Sequence, residues 1–87
     1  MTSRSLMFLL LLLSFQAISQ KAETHYQTGI GLQNEKKYGE AIENYDKALQ
    51  VDAKYYDAIY QRAYCNNRLK NYDQAMSDLR VLENKKA

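Results

Sequence analysis

An internal repeat with a period of 34 residues restricts the fold of this chain more than any other feature of its sequence. At several places a residue and the one 34 positions later are both small, or both large and apolar. The matched pairs are Gly29 with Ala63, Tyr38 with Tyr72, Ala41 with Ala75, Ile42 with Met76, and Tyr45 with Leu79. A sustained period of this length indicates helical units that stack, because no single unit buries its apolar face alone.

The stretch from Tyr38 to Asp52 has the pattern of an amphipathic helix. Its small or apolar residues recur at helical spacing, and its charged residues fall between them. The chain contains no proline and three glycines, and alanine, leucine and lysine are frequent. This composition favours helices over strands. The sequence therefore predicts an all-α fold in which this helix packs against a partner.

Each repeat is predicted to form two antiparallel helices joined by a short turn. The first pair is expected at about Ala22–Glu35 and Gly39–Val51, and the second at about Tyr56–Leu69 and Tyr72–Asn84. Turns this short force neighbouring helices to run antiparallel. Gly29 is expected where the helices of a pair touch, because a larger side chain would separate the backbones.

The segments YGEAIENYDKAL and YDQAMSDL, at matching positions of the two repeats, resemble the tetratricopeptide repeat. The resemblance covers residues 20–87, with a first repeat at about 22–55 and a second at about 56–87. It implies a short right-handed α-solenoid of two helix-turn-helix repeats. The chain departs from the family pattern at His25, where tryptophan is usual, at Thr28 and Arg62, where leucine is usual, and at Ala53, where proline often follows the second helix.

The resemblance also implies a binding surface, because the first helices of such repeats line a concave groove that holds a protein or peptide partner. Tyrosines supply contact area at low entropic cost, and amides can pair with a peptide backbone. The alternative is a solvated face whose tyrosines lean on their neighbours. The predicted groove residues are Tyr26, Gln27, Ile30, Asn34, Tyr60, Gln61, Tyr64, Asn67 and Arg68, with Glu23, Gln33 and Asp57 on the same stripe.

Residues 1–19 have the three-part layout of a secretory signal peptide. Arg4 precedes the apolar run Leu6–Leu13, and the small residues Ala17 and Ser19 follow it. The run is shorter than the roughly 20 residues that a membrane span needs. Export to the periplasm or the exterior is therefore predicted, with cleavage after Ser19 and no stable membrane span afterwards. The alternative is an uncleaved segment that tethers the chain to a membrane.

The sequence contains no grouping of residues typical of a catalytic or metal site. His25 and Cys65 are the only histidine and the only cysteine. A single cysteine excludes an intramolecular disulfide and a cysteine-based zinc cluster. We expect neither an enzyme nor a bound cofactor or metal. The formal net charge of +2 also argues against a nucleic-acid partner.

Two classes of function remain open from the sequence. The first is an exported protein–protein interaction module. The second is a structural or oligomerising fragment, or a subunit of a larger envelope repeat array, with no ligand of its own. In that second class the final helix could drive self-association through Leu79, Val81 and Leu82, with two chains meeting about a two-fold axis.

Removal of the N-terminal segment can be tested on the exported protein. We expect mass spectrometry of its N-terminus to find Gln20 as the first residue, because small residues precede that position after a short apolar run. A mature species that retains Leu6–Leu13 would show that the segment is not a cleaved signal.

Overall fold

The structure is a computed structural model that describes the backbone of residues 2–86 and the side chains of residues 17–85. The described chain consists of four helices and contains no strand. They are α1 (Thr2–Asn34), α2 (Tyr38–Val51), α3 (Tyr56–Arg68) and α4 (Tyr72–Lys86). The predicted all-α fold is therefore confirmed.

The helices pack in the order of the chain. The helix α1 packs against α2, and α3 packs against α4. The second pair joins the first mainly through the contact between α2 and α3, with a smaller contribution from α1. The two predicted helix pairs are thus both present, and α3 forms the junction between them.

The first helix is longer than the sequence predicted, since α1 begins at Thr2 and not near Ala22. No proline interrupts this part of the chain, and leucine, alanine and glutamine all favour helix, so nothing in the local sequence ends it. The predicted cleavage point Ser19–Gln20 lies inside this helix. No described helix combines the length and the apolar character needed to cross a membrane.

The 34-residue period extends to the backbone of the two turns inside the repeats. Lys36 and Lys70 both have positive φ angles, of 63° and 65°. The amide of Lys37 bonds to the carbonyl of Leu32 at 2.9 Å, and the matching bond in the second repeat spans 2.8 Å. These bonds are those of a Schellman motif, which ends a helix on a left-handed residue. Each turn therefore reverses the chain in the same way and sets the two helices of its pair antiparallel.

The core lies where α2 meets its neighbours. Ala41, Tyr45, Ala48, Ala58 and Cys65 are fully buried there. The four small side chains among these five let the helix axes approach, and the tyrosine ring fills the space that remains.

Gly29 lies directly against the ring of Tyr45 where α1 meets α2. A Cβ atom added at Gly29 would lie 2.5 Å from Cε1 of Tyr45, which is too close for any real contact. The expectation that Gly29 sits where two helices touch is therefore confirmed. Ala63 and Leu79 occupy the same two positions in the second repeat, where a methyl group faces a smaller side chain.

We expect Gly29→Ala to destabilise the fold. The ring of Tyr45 is fully buried and its hydroxyl is bonded to Gln33, which opposes its displacement. Overpacking of this kind costs about 1–3 kcal/mol. That cost exceeds the gain of about 0.5–1 kcal/mol from replacing a glycine within a helix. The free energy of unfolding, measured by urea denaturation, should fall.

Gly31→Ala is the matched control, because a Cβ atom there has no neighbour within 4 Å. Alanine is more stable than glycine within a helix, and no new contact forms at this position. The free energy of unfolding of this variant should therefore rise slightly. Combining Gly29→Ala with Tyr45→Leu reproduces the alanine–leucine pair of the second repeat and should restore part of the lost stability. Equal stability of the Gly29 and Gly31 variants would contradict the packing described here.

Candidate functional site

An apolar groove of about 280 Å³ runs between α3 and α4 and is lined by residues of the second repeat. Small side chains form its floor, and aromatic and aliphatic side chains form its walls. Its lining residues are Tyr60, Ala63, Tyr64 and Asn67 from α3, and Tyr72, Ala75, Met76 and Leu79 from α4. We call this surface the α3–α4 groove.

Helical spacing explains why these residues lie together. On each helix the lining positions follow the pattern i, i+3, i+4 and i+7, which places them on one face. Tyr60 is 57% exposed, Tyr72 55% and Met76 50%. Large apolar side chains gathered on one open surface are typical of an interaction site.

The corresponding surface of the first repeat is covered. Its residues lie 34 positions earlier, on α1 and α2, and include the buried pair Gly29 and Tyr45. The helix α3 lies on this surface, with Ala58 and Cys65 fully buried in the contact. The same arrangement of side chains is therefore closed by a helix in the first repeat and open in the second.

Two of the predicted groove residues from the first repeat contact the core. Tyr26 is half-buried, and its ring centroid lies 5.8 Å from that of Tyr45 and 5.1 Å from that of Tyr55. Burial, followed by the charge of Asp57, raises the pKa of Tyr26. Ile30 packs against the core cluster as well. These two side chains thus help to hold α1 in place, in contrast to the exposed Tyr60.

The amides of Gln33 and Gln61 are used inside the protein. The hydroxyl of Tyr45 donates to Oε1 of Gln33 at 2.6 Å, and the thiol of Cys65 donates to the same oxygen at 3.3 Å. Nε2 of Gln33 then donates to Oε1 of Gln61 at 2.9 Å. These bonds connect α1, α2 and α3, so the predicted role of Gln61 toward a peptide backbone competes with an internal bond.

The remaining predicted residues divide between the groove and the outer surface. Tyr64 and Asn67 line the α3–α4 groove. Tyr64 also meets Tyr38 edge-on, with 6.3 Å between ring centroids, and Arg68 lies over that same ring at 5.7 Å. Gln27 and Asn34 are exposed on α1, away from the groove.

Sequence reasoning missed the part that Arg62 has in positioning the groove. Its guanidinium donates to both carboxylate oxygens of Asp78 on α4, at 2.7 and 2.8 Å, and to Asp46 on α2 at 2.8 Å. The bonds to Asp78, which contribute most, raise the pKa of Arg62. A bidentate pair of this kind fixes the orientation of the two side chains as well as the distance between them. Arginine at a position where leucine is usual was the available signal.

A second cleft continues the apolar surface along the same helix pair. It has a volume of about 510 Å³ and shares Tyr60 and Leu79 with the α3–α4 groove. Leu82 lines it, and the ammonium group of Lys85 lies 4.1 Å from the centroid of the Tyr56 ring. Of the three apolar residues proposed for self-association, Val81 is exposed but borders neither cleft.

The described side chains offer little for catalysis. Among residues 17–85, no three histidine, cysteine or acidic side chains are grouped as metal ligands. Burial raises the pKa of the Cys65 thiol to about 11. A thiol that is buried and protonated is a poor nucleophile. The geometry of this surface suits the binding of another apolar surface.

Curated relatives match part of the chain. The Photosystem I assembly protein Ycf3 of Synechococcus sp. (strain CC9902) is 44% identical over 41 residues, which is 47% of this chain and 24% of that protein. The protein of the same name from Trieres chinensis is also 44% identical over 41 residues and is covered to 23%. The chain therefore matches about a quarter of the length of these relatives. No solved structure matches it significantly.

The family comparison covers most of the region in which the helices pack. A family described as "Tetratricopeptide repeat" matches residues 32–86, which is more than half of the chain. The match includes α2, α3 and α4 and the turns between them. Repeats of this type are non-enzymatic units that bind proteins, in agreement with the expectation that the chain is not an enzyme. The chain belongs to the tetratricopeptide repeat family.

Proposed function

We propose that this chain is an exported protein–protein interaction module that receives a helical segment of its partner in the α3–α4 groove. The observation that carries the proposal is the contrast between the two repeats. In the first repeat, helix α3 covers the surface formed by α1 and α2. In the second repeat, the equivalent surface is open and exposes Tyr60, Tyr72 and Met76.

A helix suits this groove better than an extended peptide does. The groove is an elongated depression between two helices, with Ala63 and Ala75 on its floor. The ridge of a third helix fills such a depression, as α3 fills the one before it. An extended peptide would need amides that are free to pair with its backbone, and of the predicted amides only Asn67 lines the groove.

The sequence relatives support the binding of a protein and nothing finer. The Ycf3 proteins are named for the assembly of photosystem I, and the chain matches about a quarter of their length. Protein binding through helical repeats is the property that the shared segment carries. Export is a proposal from the N-terminal sequence, in which Arg4, the apolar run Leu6–Leu13 and the small residues Ala17 and Ser19 follow in order.

Tyr60→Ala should weaken partner binding. Tyr60 lies where the α3–α4 groove meets the second cleft, and central aromatic side chains often contribute most to an interface. We expect an increase of about tenfold in Kd for the partner, which corresponds to roughly 1.4 kcal/mol. The full chain would serve as bait in an extract of the source cells, and the Kd of each captured protein would then be measured by calorimetry.

Val81→Ala is the matched control, because Val81 is 45% exposed on α4 but borders neither cleft. It should bind as the wild type does. Circular dichroism should show the same helix content in both variants as in the wild type, because Tyr60 and Val81 are exposed. A partner that binds the Tyr60 variant and the wild type equally well would refute the α3–α4 groove as its site.

A further inference from the structure

We propose that the occupant of the α3–α4 groove is helix α1 of a second copy of this chain, stacked head to tail. The inference rests on the proposed function, because it names the partner of the same groove. Its basis is the contact between the two repeats, where α3 covers the surface formed by α1 and α2. The exposed face of α1 resembles the face of α3 that makes this contact.

The covering face of α3 is built on small side chains. Ala58 and Cys65 are fully buried where α3 meets the first repeat. The residues 34 positions earlier, on α1, are Thr24 and Gly31. Both are exposed, and a Cβ atom added at Gly31 would meet nothing within 4 Å. The outer face of α1 therefore presents small residues at the same spacing and is uncovered.

Burial of this face would leave few polar groups without partners. The hydroxyl of Thr24 already donates to the carbonyl of Gln20 at 2.9 Å, and that of Thr28 to the carbonyl of Thr24 at 3.0 Å. The penalty for burying an unpaired hydroxyl is thus avoided. Gln27 and Asn67 correspond to Gln61 and Gln33, whose side-chain amides bond to each other in the internal junction. A Gln27–Asn67 pair would reproduce that bond.

The open groove is continuous with the internal junction. Tyr64 packs edge-on against Tyr38 at the junction, and it also forms part of the wall of the α3–α4 groove. One side chain therefore takes part in both surfaces. A second copy placed on the groove would extend the existing contact between repeats by one further helix pair.

The shapes of the two surfaces favour head-to-tail stacking over a two-fold dimer. Two grooves placed face to face would each lack a ridge to fill them, whereas the groove and the outer face of α1 are complementary. A head-to-tail contact uses different surfaces on the two copies, so each added copy exposes a new groove. The expected assembly is an open chain of copies, whose average mass rises with concentration.

The test uses two variants of the chain in its exported form, each of which blocks one surface. Gly31→Lys places a long charged side chain on the outer face of α1, where the isolated molecule has open space. Met76→Lys places a charge in the groove at a half-exposed position. Light scattering coupled to size-exclusion chromatography would give the mass of each variant and of their equimolar mixture over a hundredfold range of concentration.

We expect the wild type to grow beyond a dimer, each blocked variant alone to stay monomeric, and the mixture to form dimers and stop there. The mixture pairs the intact groove of one variant with the intact α1 of the other. Gly39→Lys and Val81→Lys are matched controls outside both surfaces, and they should assemble as the wild type does.

Two results would overturn the inference. One is a wild-type chain that stays monomeric throughout the concentration range. If that monomer still captures another protein through Tyr60, the proposed function stands and the second-copy inference fails. The other is a wild-type dimer that Met76→Lys abolishes but Gly31→Lys does not affect, because that pattern identifies a two-fold contact between grooves.

Discussion

The close packing of the Tyr45 ring on Gly29 is the contact on which the arrangement of all four helices depends. It sets the distance between α1 and α2, because the glycine allows the ring to lie directly against the backbone. The same ring carries the hydroxyl that bonds to Gln33 at 2.6 Å. Gln33 in turn accepts a hydrogen bond from the thiol of Cys65 and donates one to Gln61, and both of these residues lie on α3. One buried tyrosine therefore links the first helix pair to the second.

Arg62 connects these contacts to α4, the last helix. It sits on α3 between Asp46 of α2 and Asp78 of α4 and bonds to both. Asp78 is almost fully buried, and a buried charge is tolerated only when it is paired. The pair fixes the position of α4 relative to α3, and hence the width of the α3–α4 groove. The shape of the α3–α4 groove is thus set by polar contacts on the opposite side of α3.

Much of the fold could be predicted from the sequence, because the fold follows from periodic features. The 34-residue repeat and the helical spacing around Tyr45 predict the number, order and pairing of the helices, and the bounds of the last three helices to within two residues. The start of α1 could not be predicted in this way. The N-terminal residues favour both a signal peptide and a helix, and no residue there marks an end to the helix.

The candidate site was harder to predict, because equivalent positions in a repeat do not have equivalent surroundings. Tyr26 and Tyr60 occupy the same position, yet one packs against Tyr45 and Tyr55 and the other faces solvent. From the period alone, both tyrosines would be predicted to have the same surroundings. Which of them is open depends on whether a helix follows in space. The pairing of Arg62 with two acidic residues likewise depends on side chains from three different helices.

Because of the position of Cys65, its chemical modification can be used to measure separation of the two helix pairs. It is the only cysteine in the chain, and it is fully buried where the two repeats meet. Alkylating reagents attack the thiolate, so the side chain must reach solvent before it reacts. The rate of modification by a small reagent therefore measures how often the second helix pair separates from the first. Opening of this junction can be followed in the unmodified sequence, without an introduced label.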